Sequence, residues 1–252
     1  MKRKILIGNW KINKTMHEAI EFSNAVKAKA QEVAKKNIII GIAPGYLCLP
    51  ILKKLASPVL TFSQNVHYAG SGAYTGEVSI PMLEEIGVRG SLVGHSERRQ
   101  YFNETNETCN KKLKALEKHS FNALYCVGET LSEYEKGLTK NVVKKQVLEG
   151  IEGLSKEYIS NLTIAYEPVW SIGTGKNATK EIASDVCGYI TKVISDKYGA
   201  EVGESVYVLY GGSVKPANVK EYVNDENIDG ALVGGASLNA DSFIEMIDNL
   251  LE

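Results

Sequence analysis

The sequence has little cysteine, and what it has is not grouped. Cys48, Cys109, Cys126 and Cys187 are scattered over 252 residues, with no C-x-x-C pair and no histidine at metal-ligand spacing. A structural zinc module or a disulfide framework is thereby excluded, and reduced thiols in the cytoplasm are the expectation. There is no excess of charge either, with 29 Lys and Arg against 30 Asp and Glu, interspersed along the chain. The long-range field of a nucleic-acid binder or a polybasic membrane-surface protein is absent, so neither partner is expected. No apolar run approaches the roughly 20 residues that span a bilayer. The start, MKRKILIG, has the basic head of an export signal, but Asn9 and Lys11 end its apolar stretch too early to complete one. Finally, no Pro/Gly/Ser-rich linker, low-complexity segment or shift in composition divides residues 1–252, which are expected to form one domain.

What the chain does have is eight short apolar runs, at 5–10, 38–43, 59–65, 90–94, 123–127, 162–167, 206–210 and 230–233. They are near-continuous in Val, Ile and Leu rather than alternating, as parallel strands covered on both faces are. Helix-period stretches follow them. In the stretch 15–33, Ala19, Phe22, Val26, Ala30 and Val33 recur at three- and four-residue steps among charged residues, which marks an amphipathic helix facing a core. Further stretches fall at 82–86, 106–118, 141–154, 180–197, 216–223 and 241–251. Strict βα alternation permits an open doubly wound sheet or a closed barrel. Eight strands in about 250 residues favour an α/β fold of the (β/α)8 barrel type, eight parallel strands with outer helices.

In such a barrel the active site lies at the carboxyl ends of the strands. There the apolar runs end in Asn9-Trp10-Lys11, His95-Ser96-Glu97, Glu167, Gly211-Gly212-Ser213 and Gly234-Gly235. Any one of these has a plain reading: a solvated lysine, a structural histidine, a surface ion pair of Glu97 with Arg98 or Arg99. Together they bring an amine, an imidazole and a carboxylate to one mouth. Pro168 holds Glu167 in an extended backbone, and a carboxylate at a partly desolvated mouth is expected to have a raised pKa, as a general base for a carbon acid needs. The segment 168–176 has a stiff apolar tip between a proline and glycines, the composition of a lid. Gly173, the Gly211-Gly212-Ser213 turn and Gly234-Gly235 offer unobstructed amides for a phosphate. Two look-alikes fail. Gly175-Lys176 lacks the first glycine and the Ser or Thr of a phosphate-binding P-loop, and G-x-G-x-x-A at 173–178 stands five residues beyond its strand, too far for a dinucleotide turn.

These segments resemble the triosephosphate isomerase family over the whole chain. GNWK (8–11), AYTGE (73–77), VGHSERR (93–99), CVGE (126–129), AYEPVWSIGTGK (165–176), YGGSV (210–214) and LVGGASL (232–238) stand in the family's order. The resemblance implies an aldose–ketose isomerase, an intramolecular oxidoreductase that interconverts dihydroxyacetone phosphate and D-glyceraldehyde 3-phosphate through an enediol(ate). In the family's own well-known pattern, Glu167 is the base, His95 a neutral imidazole that donates to the carbonyl oxygen, and Lys11 a fixed positive charge. Asn9 is a further polar contact, and Glu97 partners Lys11. Gly173, Ser213, Gly234 and Gly235 correspond to the amides that grip the phosphate. No metal or cofactor is implied, because Lys11 and His95 supply the electrophilic assistance. AYTGE resembles the loop that enters a second subunit, which implies a homodimer with Thr75 near the neighbour's Asn9 and Glu97. Ser171 replaces a usual alanine, and Asn177 sits at a lid hinge normally filled by a smaller residue. Two other readings compete: another phosphate-binding barrel enzyme such as a Schiff-base aldolase, which needs a lysine projecting into the barrel, and a non-catalytic barrel.

Overall fold

The computed structural model describes residues 2–36, 38–172 and 178–251. Eight strands form one parallel sheet: β1 (Lys4–Asn9), β2 (Ile38–Ala43), β3 (Leu60–Thr61), β4 (Gly90–Val93), β5 (Asn122–Val127), β6 (Thr163–Tyr166), β7 (Tyr207–Tyr210) and β8 (Gly230–Val233). Their spatial order is β3-β2-β1-β8-β7-β6-β5-β4. The seam between β3 and β4 is joined by the Ser63–Ser91 bridge, with the Leu92 N–H donating to the Ser63 carbonyl at 2.8 Å. The expected (β/α)8 barrel is therefore present. The strand expected over 59–65 pairs with β2 only at Leu60–Thr61 and then turns its hydrogen bonds to β4, which is how the sheet closes.

Side chains alternate between two layers of core. Ile5 and Ile7 of β1, Leu124 and Cys126 of β5, Ala165 of β6, Leu209 of β7 and Leu232 of β8 fill the barrel interior. Their neighbours Leu6, Tyr125, Ile164, Val208 and Val233 pack outward against helix residues such as Phe22, Val26, Leu113, Val143, Ile190 and Phe243. That double burial is why the strands lack polar alternation, and each fully buried side chain contributes roughly 2 kcal/mol of apolar transfer.

The long helices match their sequence periods. Met16–Val33 opens on a capping box, in which the Thr15 hydroxyl accepts from the Glu18 N–H and the Glu18 carboxylate accepts from the Thr15 N–H. Asn106–Lys118, Lys180–Tyr198, Pro216–Val223 and Ala240–Asn249 fall where the apolar spacing put them. Thr139–Gly150 begins two residues early. The short helix Ile80–Glu85 begins two residues before the expected stretch 82–86, and five other short helices, Leu49–Leu55, Ser96–Tyr101, Leu131–Glu135, Lys156–Ser160 and Ala200–Ser205, carry too few turns to show a period.

Gly230 enters β8 opposite Ile5 of β1, and a Cβ there would overlap the Ile5 peptide. Gly230→Ala is expected to lower the urea midpoint by about 2 kcal/mol of stability or more, the scale of overpacking in a closed core. An unchanged midpoint would show that the β1–β8 contact has slack.

Candidate active site

The strand alternation carries functional residues out of the core and onto the mouth. Asn9 continues the inward series Ile5-Ile7, Glu167 continues from Ala165, Gly211 and Ser213 from Leu209, and Gly234 from Leu232. His95 does not follow from Leu92 by this count. Gly94 stands at φ +76°, in the left-handed region, and shifts the register so that His95 faces the mouth. Asn9, Lys11, His95, Glu167, Ser213, Gly234 and Gly235 then line one cavity of about 300 Å³. Glu97 reaches the same site through Lys11. Gly173, like Asn177, lies outside the described residues. Thr75 is exposed on the 65–79 segment, away from this cavity.

Glu167 is 3% exposed and His95 5%. Glu167 Oε1 lies 3.0 Å from His95 Nε2, and its Oε2 accepts the Ser96 N–H at 3.0 Å. The raised pKa expected of Glu167 is corrected here. Burial does push it up, but His95, the Ser96 amide and Lys11 together outweigh burial and hold it below the ordinary 4.5. The apolar setting is visible in the sequence, whereas the pairing of imidazole and carboxylate appears only in the fold.

His95 is the N-cap of the helix Ser96–Tyr101, and its Nδ1 accepts the Glu97 N–H at 3.2 Å. A lone pair used in this way leaves the ring proton on Nε2, aimed at Glu167. Burial lowers the His95 pKa, and the carboxylates of Glu167 and Glu97 more than offset it, so the net direction is upward. The neutral imidazole implied by the family resemblance therefore meets an opposing pull in the ligand-free protein, and that pull comes first from Glu167 itself.

Lys11 sits at φ +52°, a conformation that costs a lysine roughly 1–3 kcal/mol. Its N–H donates to Asn9 Oδ1 at 3.0 Å, and Gln64 Nε2 donates to the carbonyls of Lys11 and Ala43 at 2.8 and 2.9 Å. Held in this way, its Nζ pairs with Glu97 Oε1 at 2.6 Å. Gln64 went unnoticed in the sequence because it follows a strand of only two paired residues.

Two further carboxylates frame the site. Glu104, 2% exposed at its side chain, accepts the Gly94 N–H at 3.1 Å, Arg98 Nε at 2.8 Å and Lys112 Nζ at 3.0 Å. It thus ties down the residue before His95 and a side chain of the helix after it. Glu129, fully buried, accepts from Trp170 Nε1 at 2.8 Å and the Tyr166 hydroxyl at 3.1 Å, and burial raises its pKa. Trp170 is accordingly not solvent-exposed; it stacks on Tyr134 at 4.3 Å. Ser171 is buried, with Oγ donating to the Pro168 carbonyl at 3.0 Å. Glu129 closes β5 within CVGE and was legible by the strand-end rule that found Glu167, whereas Glu104 lies in a loop with no such signal.

Gly211 has a different use from the phosphate turns. A Cβ there would come within 2.8 Å of Glu167 Cγ, so its absence leaves room for the carboxylate. Gly234 and Gly235 precede and open the short 3-10 helix Gly235–Ser237, and Gly235 faces open space. Among the described residues no group of three His, Cys, Asp or Glu has metal-holding geometry, and no helix is long and apolar enough to cross a membrane.

Comparison with known proteins fits this geometry. A family model described as triosephosphate isomerase matches residues 4–250. A curated triosephosphate isomerase of Clostridium botulinum (strain Langeland) is 48% identical over 250 residues, covering 98% of this chain and 100% of that one. One from Acetivibrio thermocellus is 48% identical over 246 residues, covering 96% and 97%. One from Alkaliphilus metalliredigens is 44% identical over 250 residues, covering 98% and 100%.

Glu104 supplies a pH prediction for the frame around His95. Lys112 and Arg98 hold its pKa below 4.5 against the burial that raises it. A carboxyl lowered on folding contributes stability that is complete above its unfolded value and is lost as pH falls through the folded one. Glu104→Gln is expected to cost about 3 kcal/mol at pH 7, since it strands the buried Lys112 and unpairs the half-buried Arg98, and to flatten the fall in urea midpoint as pH drops below the ordinary carboxylate value of 4.5. An unchanged acid slope would contradict the assignment.

Proposed function

The chain belongs to the triosephosphate isomerase family, and from that membership we infer the roles of its mouth residues in interconverting dihydroxyacetone phosphate and D-glyceraldehyde 3-phosphate. The single observation that carries the assignment is the buried pairing of Glu167 with His95 at 3.0 Å in a cavity shared with Lys11.

In the proposed sequence the substrate phosphate lies against the amides of Ser213, Gly234 and Gly235, with Gly173 as a fourth contact. The carbonyl oxygen turns toward Lys11, Asn9 and His95. As that oxygen takes the Nε2–H of His95, Glu167 loses the largest of the influences that lowered its pKa, and burial is opposed only by the Ser96 amide and Lys11. The same separation removes the main upward pull on His95 and favours its neutral form. Glu167 takes the proton from the carbon beside the carbonyl, the electron pair moves to the carbonyl oxygen, and Lys11 with His95 stabilises the negative charge. Glu167 then returns the proton to the neighbouring carbon. Glu97 holds the Lys11 ammonium in place. The lysine and the imidazole provide the polarisation that a metal supplies elsewhere, so no cofactor enters the scheme. The aldolase reading is disfavoured because the residue that follows β6 is Glu167, not a lysine, and Lys11 is engaged with Glu97.

The assembly proposed is a homodimer in the cytoplasm, each copy one barrel domain. It is supported by large apolar side chains left exposed in the segments that follow β1 to β4, namely Ile12, Leu47, Tyr74, Tyr101 and Phe102, since exposed apolar surface of this kind fits a second copy of the chain.

Two outcomes are expected. With EDTA present throughout, the purified protein converts glyceraldehyde 3-phosphate to dihydroxyacetone phosphate, and Glu167→Gln loses at least about 10³-fold in kcat, the range of general-base catalysis; turnover retained by the variant contradicts the assignment. Sedimentation gives twice the chain mass of 27.6 kDa, and Thr75→Arg shifts the equilibrium toward monomer. A wild-type monomer at micromolar concentration would overturn the dimer.

A further inference from the structure

Lys215 lines the same cavity as the catalytic pair, yet none of the roles assigned above uses it. It precedes the helix Pro216–Val223 and is exposed. Its backbone N–H is committed to Asn218 Oδ1 at 2.8 Å, so whatever it offers a ligand comes from its ammonium group. Among the described residues that ammonium has no ion pair, in contrast to Lys11, whose charge is matched by Glu97 at 2.6 Å.

The charge balance of the mouth gives this position its meaning. Lys11 and Glu97 cancel. The Nδ1 lone pair of His95, taken by the Glu97 N–H, keeps the ring neutral, and Glu167 then leaves the described groups of the catalytic mouth at −1, facing a substrate whose phosphate is close to a dianion at neutral pH. A negative mouth repels its own substrate, and the amides of Ser213, Gly234 and Gly235 act only over the last few ångströms. Lys215 brings the balance to zero from the phosphate side of the cavity, at the positive end of an eight-residue helix.

We propose that Lys215 is a capture residue for the phosphate dianion, offsetting the charge of the catalytic base during approach without touching the reacting carbons. This rests on reading the cavity as a phosphate-ester site. Because the side chain is exposed, its effect is a screened, rim-type one that appears in the encounter and fades with salt.

The test compares Lys215→Gln and Lys215→Arg with wild type across ionic strength, using glyceraldehyde 3-phosphate and unphosphorylated glyceraldehyde. For Lys215→Gln, kcat/KM on the phosphorylated substrate is expected to fall about three- to tenfold near 10 mM ionic strength, where the screening length is about 30 Å, and to recover to within about twofold near 1 M, where it is about 3 Å. The loss lies in KM rather than kcat, is absent with glyceraldehyde, and is reversed by Lys215→Arg. A salt-independent loss, a loss shared by both substrates, or no change at low salt overturns the proposal. Calorimetric titration with inorganic phosphate reads the same charge without turnover, and Lys215→Gln should bind it more weakly at low salt only. A wild type that binds phosphate but does not isomerise triose phosphate would sink the isomerase assignment alone, with the phosphate affinities of the variants still deciding the role of Lys215.

Discussion

The contact between the Glu167 carboxylate and the His95 imidazole, 3.0 Å apart and almost sealed from solvent, is the constraint on which the rest of the mouth depends. A lone carboxylate buried to 3% exposure is costly and drifts toward neutrality. Here the imidazole, the Ser96 amide and the nearby Lys11 make the charged form tolerable. On the proposed mechanism, a carboxylate satisfied in this way gains basicity only when a ligand competes for the same Nε2–H.

Holding that contact requires backbone conformations that the chain does not adopt without support. Gly94 at φ +76° turns His95 toward the mouth, and Glu104 grips the Gly94 amide. Lys11 at φ +52° is clamped on one side by Asn9 and on the other by Gln64. Gly211 leaves the volume that the Glu167 side chain occupies. Around the mouth, strained backbone and missing side chains thus serve the position of a few polar groups, whereas a glycine such as Gly230 at the opposite end serves close packing of the strands. Local cost at the mouth is borne by the two-layer core beneath it.

Much of this was legible in the amino-acid order. Continuous apolar runs identified the eight strands because both faces of each are buried. Asn9, His95, Glu167, Ser213 and Gly234 could be placed at the mouth because each stands at or just past the end of an apolar run, although the orientation of His95 depends on a glycine. What could not be read has physical causes. The short helices hold too few turns to reveal a period. Gln64 acts through Lys11 and Ala43, both distant in sequence, and Glu104 sits in a loop whose path alone brings Gly94, Arg98 and Lys112 to it. The direction of the Glu167 pKa depended on which of two opposing effects was larger, burial or the imidazole partner, and only the folded geometry weighs them against each other.

The most direct test of this account is the ionisation of Glu167 with and without a ligand that competes for His95. Isotope-edited infrared spectroscopy of the Glu167 carboxyl would follow its titration in the ligand-free protein and in a complex with a phosphorylated hydroxamate, whose oxygens mimic an enediolate. The account predicts a pKa below the ordinary carboxylate value when the site is empty and well above it in the complex. An ordinary or raised value in the empty site, or no change on binding, would contradict the claim that the imidazole restrains the base until substrate displaces it.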